Sequence, residues 1–110
     1  MGGLHAYRLA THDAVDAAVS YYGAKLEQRL DEAKDLHCPI MLHLGGQDHM
    51  FPPETVSKIS DGLKGKGHVE IFVYPDANHG FNCDQRPSYN RFASMLAYGR
   101  SQIFLHKMLT

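Results

Sequence analysis

Residues 69–80 read VEIFVYPDANHG. The first six are β-branched or aromatic apart from one Glu, which is strand composition. Pro75-Asp76 closes the run, and a histidine and a glycine follow directly. PIMLHLGGQD (39–48) repeats the arrangement, an apolar run delivered into glycines and then an acid. AAVSYYG (17–23) is a shorter version that ends in Gly23.

The segments between these runs carry helical spacing. Leu4, Tyr7 and Ala10 predict a helix over 2–12. In AKLEQRLDEAKDL (24–36), Leu26, Leu30 and Ala33 line one face and charges the other, which predicts an amphipathic α-helix. Pro52-Pro53 opens the next helix, since Pro is tolerated where the first-turn N–H groups have no intrahelical partner. Val56, Ile59 and Leu63 form its stripe, and Gly65 and Gly67 end it. Ser88 is the expected N-cap of a long last helix with Phe92, Leu96, Gly99 and Ile103 on its apolar face. The order α-β-α-β-α-β-α predicts an α/β fold: three parallel strands in one sheet, flanked by helices. The near-continuous apolarity of the strands agrees, because parallel strands are covered on both faces.

A chain of 110 residues, 44% apolar and 21% charged, predicts a single domain over 1–110 with a modest core. A net charge of −1 with interspersed signs argues against nucleic acid as a partner. No apolar run reaches the roughly 18 residues that cross a bilayer, so no membrane role is expected. The start, MGGLHAYRLATHD, lacks the basic and apolar blocks of a secretory signal. Cys38 and Cys83 stand far apart without C-x-x-C spacing, which points to a reducing, cytoplasmic setting. The eight histidines show no ligand spacing, so neither a metal nor a cofactor is expected.

Open parallel sheets bind ligands beyond the carboxyl ends of their strands. Gly23, the GGQDH segment (45–49) and the ANHGF segment (77–81) all fall on that edge. Asp48 and His79 are therefore candidates for a catalytic pair. The acid would accept the imidazole Nδ1–H, fix the tautomer and stabilise the imidazolium, while the imidazole moves a proton near neutrality. Turn formation is the other reading, since Gly-x-Asp and Asn-His-Gly are both acceptable turn chemistry.

DAAVSYYG (16–23), CPIMLHLGGQDHMFPPE (38–54) and EIFVYPDANHGFNCDQRPSY (70–89), with the long helix that follows, resemble the carboxyl-terminal half of the dienelactone hydrolase family. These are α/β-hydrolases related to carboxymethylenebutenolidase. The resemblance covers essentially the whole chain and implies a partial α/β-hydrolase fold without the amino-terminal half of the sheet. It makes Asp48 the triad acid and His79 the triad base. The family nucleophile is usually a cysteine in a Gly-x-Cys-x-Gly-Gly elbow, and triad order places it before the acid. Met1-Gly2-Gly3 look like the last three residues of that elbow, so the chain is expected to begin just past the nucleophile. The oxyanion-hole N–H would then fall at Met1.

Neither Cys38, at the amino end of its strand, nor Cys83, outside any elbow, suits the nucleophile's place. Arg86 matches only loosely the arginine that holds substrate carboxylate in dienelactone-cleaving members. The expected function is thus the acid–histidine half of an ester or lactone hydrolase, inactive when isolated. A non-catalytic remnant serving as an interaction or complementing subunit is the alternative, and a small-molecule binding module is the third reading. A sheet cut short exposes an edge, and AAVSYY is the expected one, so a homo-oligomer through that edge is anticipated.

Overall fold

The computed structural model describes residues 2–11, 15–23, 26–36, 38–65 and 67–109. The expected helical positions 12, 24 and 25, and Met1 with its oxyanion assignment, lie outside the described residues.

The elements run α1 (Gly2–Thr11), β1 (Ala18–Tyr21), a 3-10 helix (Leu26–Asp35), β2 (Ile40–Gly45), α2 (Pro53–Leu63), β3 (Val69–Tyr74) and α3 (Arg91–Leu109). The three strands form one parallel sheet in the order β1-β2-β3, as expected. Every residue of β2, in the middle, is buried.

Strand alternation sorts the side chains into two layers. Ile40, Leu42 and Leu44 point to a core shared with Tyr7, Leu26, Ile59 and Leu63, so α1, the 3-10 helix and α2 cover one face. The other face carries a cross-sheet row, with Tyr21 opposite His43 and His43 opposite Phe72. There Tyr74 and Phe81 pack on Ala93 and Ala97 of α3.

Three helical expectations change. The segment after β1 is a 3-10 helix, and its continuity breaks at Arg29 (φ −121°, ψ 21°). The Arg29 carbonyl is taken by the Tyr7 hydroxyl at 2.7 Å, a tertiary bond that competes with an α-helical ladder. Burial beside Glu32 and Asp31 pushes the Tyr7 hydroxyl up to about 12, so it remains a donor. Secondly, Ser88 does not cap α3. Asn90 does, its Oδ1 accepting the Ala93 N–H at 3.0 Å. Thirdly, the stripe expected to bury α3 faces outward: Phe92 is 77% and Ile103 71% exposed. Ala93, Ala97, Ser101 and Phe104 form the buried face instead. Small residues sit there because the sheet's own aromatic side chains fill the space.

Candidate active site

The ends of β2 and β3 are joined backbone to backbone. Gly46 N donates to Tyr74 O at 2.7 Å, and Gln47 N donates to Ala77 O at 2.8 Å. A Cβ on Gly45 would lie 2.7 Å from Ala77 O, and one on Gly46 would lie 2.8 Å from Pro75 Cα. The Gly-Gly pair is therefore required by close approach of the two loops.

That contact brings the candidate pair together. His79 Nδ1 lies 2.7 Å from Asp48 Oδ2. The Asp48 side chain is wholly buried, whereas His79 is a quarter exposed. Asp48 Oδ1 accepts the Met50 N–H at 2.9 Å, so both carboxylate oxygens are engaged. A carboxylate accepts the Nδ1 proton, which leaves Nε2 as the basic nitrogen. Among the described residues no hydroxyl or thiol hydrogen-bonds that Nε2.

The histidine loop is held from both sides. Gly80 adopts φ +81°. Ser88 donates to the His79 carbonyl at 2.8 Å, which is its actual role in place of the expected cap. Arg86 lies over the same turn, with Nη1 2.9 Å from the point a Gly80 Cβ would occupy. Cys83 is half-buried, and its N–H donates to Gly80 O at 2.9 Å. Cys38 is buried just ahead of β2, at the opposite end of that strand from Asp48.

Sequence reasoning missed Tyr22. It has φ +71°, an unusual conformation for a bulky side chain and one that costs on the order of 1 kcal/mol. Its ring centroid is 5.1 Å from that of His79. Its hydroxyl oxygen accepts the Asn82 N–H at 2.9 Å, clamping the end of β1 to the histidine loop. Burial raises the pKa of this hydroxyl. The only hint in the sequence was the Tyr-Gly pair ending the first strand.

The first turn of α1 reaches this edge as well. Ser20 Oγ donates to Gly3 O at 2.9 Å. A Cβ on Gly3 would collide with Tyr21 O and lie 2.5 Å from Gly23 N. The helix thus starts against the carboxyl end of β1.

Behind the site is a second imidazole, unanticipated from the sequence. His43 is fully buried, with Nδ1 2.8 Å from Tyr74 OH and Nε2 2.8 Å from Ser101 Oγ. Both ring nitrogens are thereby engaged by hydroxyl groups. Arg100 stacks on Phe72, its guanidinium carbon 4.2 Å from that ring centroid and 5.4 Å from the centroid of Tyr74. Burial, assisted by Arg100, pushes His43 down to about 4, so it is neutral at physiological pH.

This geometry can be set beside known proteins. The sequence model of the dienelactone hydrolase family matches residues 1–109. The chain belongs to the dienelactone hydrolase family. A carboxymethylenebutenolidase of Pseudomonas putida is 33% identical over 105 residues, covering 96% of this chain and 44% of the relative. A provisionally assigned Klebsiella pneumoniae dienelactone hydrolase of known structure matches with TM-score 0.81 at 31% identity, over 90% of this chain and 45% of that one. A dienelactone hydrolase-like promiscuous phosphotriesterase from metagenomic libraries shares the fold, with TM-score 0.79 at 16% identity. The chain spans about half the length of the family members it matches. Its three-stranded sheet with flanking helices is accordingly part of an α/β-hydrolase fold.

Proposed function

We propose that this chain supplies the acid–histidine half of an ester or lactone hydrolase of the dienelactone hydrolase type. The observation that carries the reading is the 2.7 Å contact between His79 Nδ1 and a fully buried Asp48 carboxylate whose other oxygen is held by the Met50 amide. Asp48 orients the ring and stabilises the imidazolium, and His79 Nε2 moves the proton. The nucleophile comes from outside these 110 residues, as a cysteine on an elbow that leads into α1. Its thiol yields a proton to His79 as sulfur attacks the acyl carbon. His79 then protonates the leaving alcohol or enol oxygen. In the second half-reaction it takes a proton from water, which releases the acid and frees the thiol. By itself the chain is inactive, and it works in the reducing cytoplasm that a thiol nucleophile requires.

The test is hydrolysis of p-nitrophenyl acetate by the chain alone and after mixing with a family amino-terminal half that carries Gly-x-Cys. No turnover alone and turnover after mixing is the expected outcome. In the mixture, His79→Asn abolishes the gain and Asp48→Asn lowers it on the order of 10⁴-fold. Turnover by the chain alone, or a gain that survives His79→Asn, overturns the reading.

A further inference from the structure

A bulky residue at φ +71° persists only where its surroundings over-determine it, and such residues cluster where the geometry is used. Tyr22 is that residue. Glycine or asparagine would take the same backbone conformation with less strain, so the tyrosine side chain is what the position retains. Its ring packs on three others: His79 at 5.1 Å between centroids, Phe81 at 5.4 Å and nearly perpendicular at 84°, and Tyr21 at 5.9 Å. Its hydroxyl oxygen accepts the Asn82 N–H at 2.9 Å. The ring is therefore held at both ends, by the strand at one and by the histidine loop at the other.

What lies under it is fixed as well. Tyr22 N donates to His43 O of the buried middle strand at 2.9 Å, and Gly23 N closes a tight turn on Tyr21 O at 2.9 Å. The same strand end is fastened to α1 through Ser20 Oγ and Gly3 O. The histidine loop is fastened in its turn. Ser88 holds the His79 carbonyl, Asn78 Oδ1 accepts the His79 N–H at 2.8 Å, and Asn82 Oδ1 accepts the Ser94 hydroxyl in the first turn of α3. Tyr22 thus bridges the strand end on which α1 begins and the loop that carries the imidazole.

The ring adds a second restraint to the Asp48 contact. One hydrogen bond at Nδ1 fixes that atom and leaves the imidazole free to rock about the Nδ1···Oδ2 line. Rocking swings the Nε2 lone pair away from any fixed line of approach, and proton transfer is sensitive to such misplacement. An aromatic ring packed against the imidazole, tilted 46° to it, removes that freedom.

We propose that Tyr22 is a positioning residue whose ring holds the plane of the His79 imidazole, so that Nε2 keeps one direction for the proton it exchanges with the nucleophile. Its use in catalysis rests on the proposed function, whereas the restraint is a property of this chain. The experiment is carbon NMR relaxation at His79 Cε1 in a histidine-labelled chain, alone and mixed with the amino-terminal half, beside Tyr22→Asn and Tyr22→Phe. Asparagine removes the ring at a backbone conformation it tolerates, phenylalanine keeps the ring without the hydroxyl, and far-UV circular dichroism checks the fold of both. The expected order parameter is about 0.85 in the unaltered chain and in Tyr22→Phe, and below about 0.6 in Tyr22→Asn. In the mixture, Tyr22→Asn lowers kcat for p-nitrophenyl acetate by about tenfold or more with KM nearly unchanged, and Tyr22→Phe retains most of it. An imidazole that stays ordered in Tyr22→Asn, one that loosens equally in Tyr22→Phe, or a working mixture whose kcat Tyr22→Asn leaves unchanged overturns the proposal. A mixture without turnover counts against the hydrolase reading alone, because the relaxation result needs no nucleophile.

Discussion

At the scale of single residues, two positions carry consequences larger than their size. His43 is buried neutral, its pKa pushed from the ordinary 6.5 to about 4. Between those values the unfolded chain binds a proton that the folded chain excludes, so stability falls as pH falls. Stability from this group is complete above about pH 6.5, and on the order of 3 kcal/mol is lost by about pH 4. Urea unfolding from pH 7 to 4 should show the decline, and His43→Gln should flatten it. Gly3 is the second position. Adding a Cβ drives it into the backbone of Tyr21 and Gly23, which cannot yield as a flexible side chain does. Gly3→Ala should cost about 3 kcal/mol, read as a lower urea midpoint at unchanged slope.

At the scale of elements, α3 depends on a cap that sequence reading misplaced by two residues. Asn90→Ala removes the acceptor for the Ala93 N–H and should destabilise the chain by about 1 kcal/mol, measured by thermal melting. The misplacement has a physical cause. Ser and Asn are both good caps, and only the tertiary fold assigns Ser88 to the His79 carbonyl. The same holds for the stripe. Phe92, Leu96 and Ile103 are bulkier than Ala93, Ala97 and Ser101, so periodicity selected them, but the sheet below α3 already carries its own aromatics. By contrast β3 begins and ends where VEIFVY does, because that run is bounded by a glycine-rich turn and by Pro75. The 3-10 geometry was invisible, since the bond that breaks the α ladder comes from Tyr7.

At the scale of the whole molecule, everything hangs on β2. It pairs on both sides and is buried throughout, while among the described residues β1 and β3 each have one strand neighbour. Its amides should therefore be the slowest to exchange with deuterium, and those of β1 should exchange earlier, in native-state hydrogen exchange. This architecture explains which part of the site was legible. Asp48 and His79 follow strands, and strand-end logic delivers them to one edge. Tyr22 and the His43 network were not legible, because their partners lie 60 residues away for Asn82 and 58 for Ser101.

That last separation has a consequence during synthesis. The middle strand leaves the ribosome carrying an imidazole whose hydroxyl partners are still unmade. Until Tyr74 and then Ser101 emerge, His43 faces water and titrates as a free histidine. The growing chain thus keeps a polar, chargeable group in its most apolar strand while its edges are open. Docking of α3 brings Ser101 onto the imidazole and removes it from solvent, so the arrival of that helix completes the core around the strand.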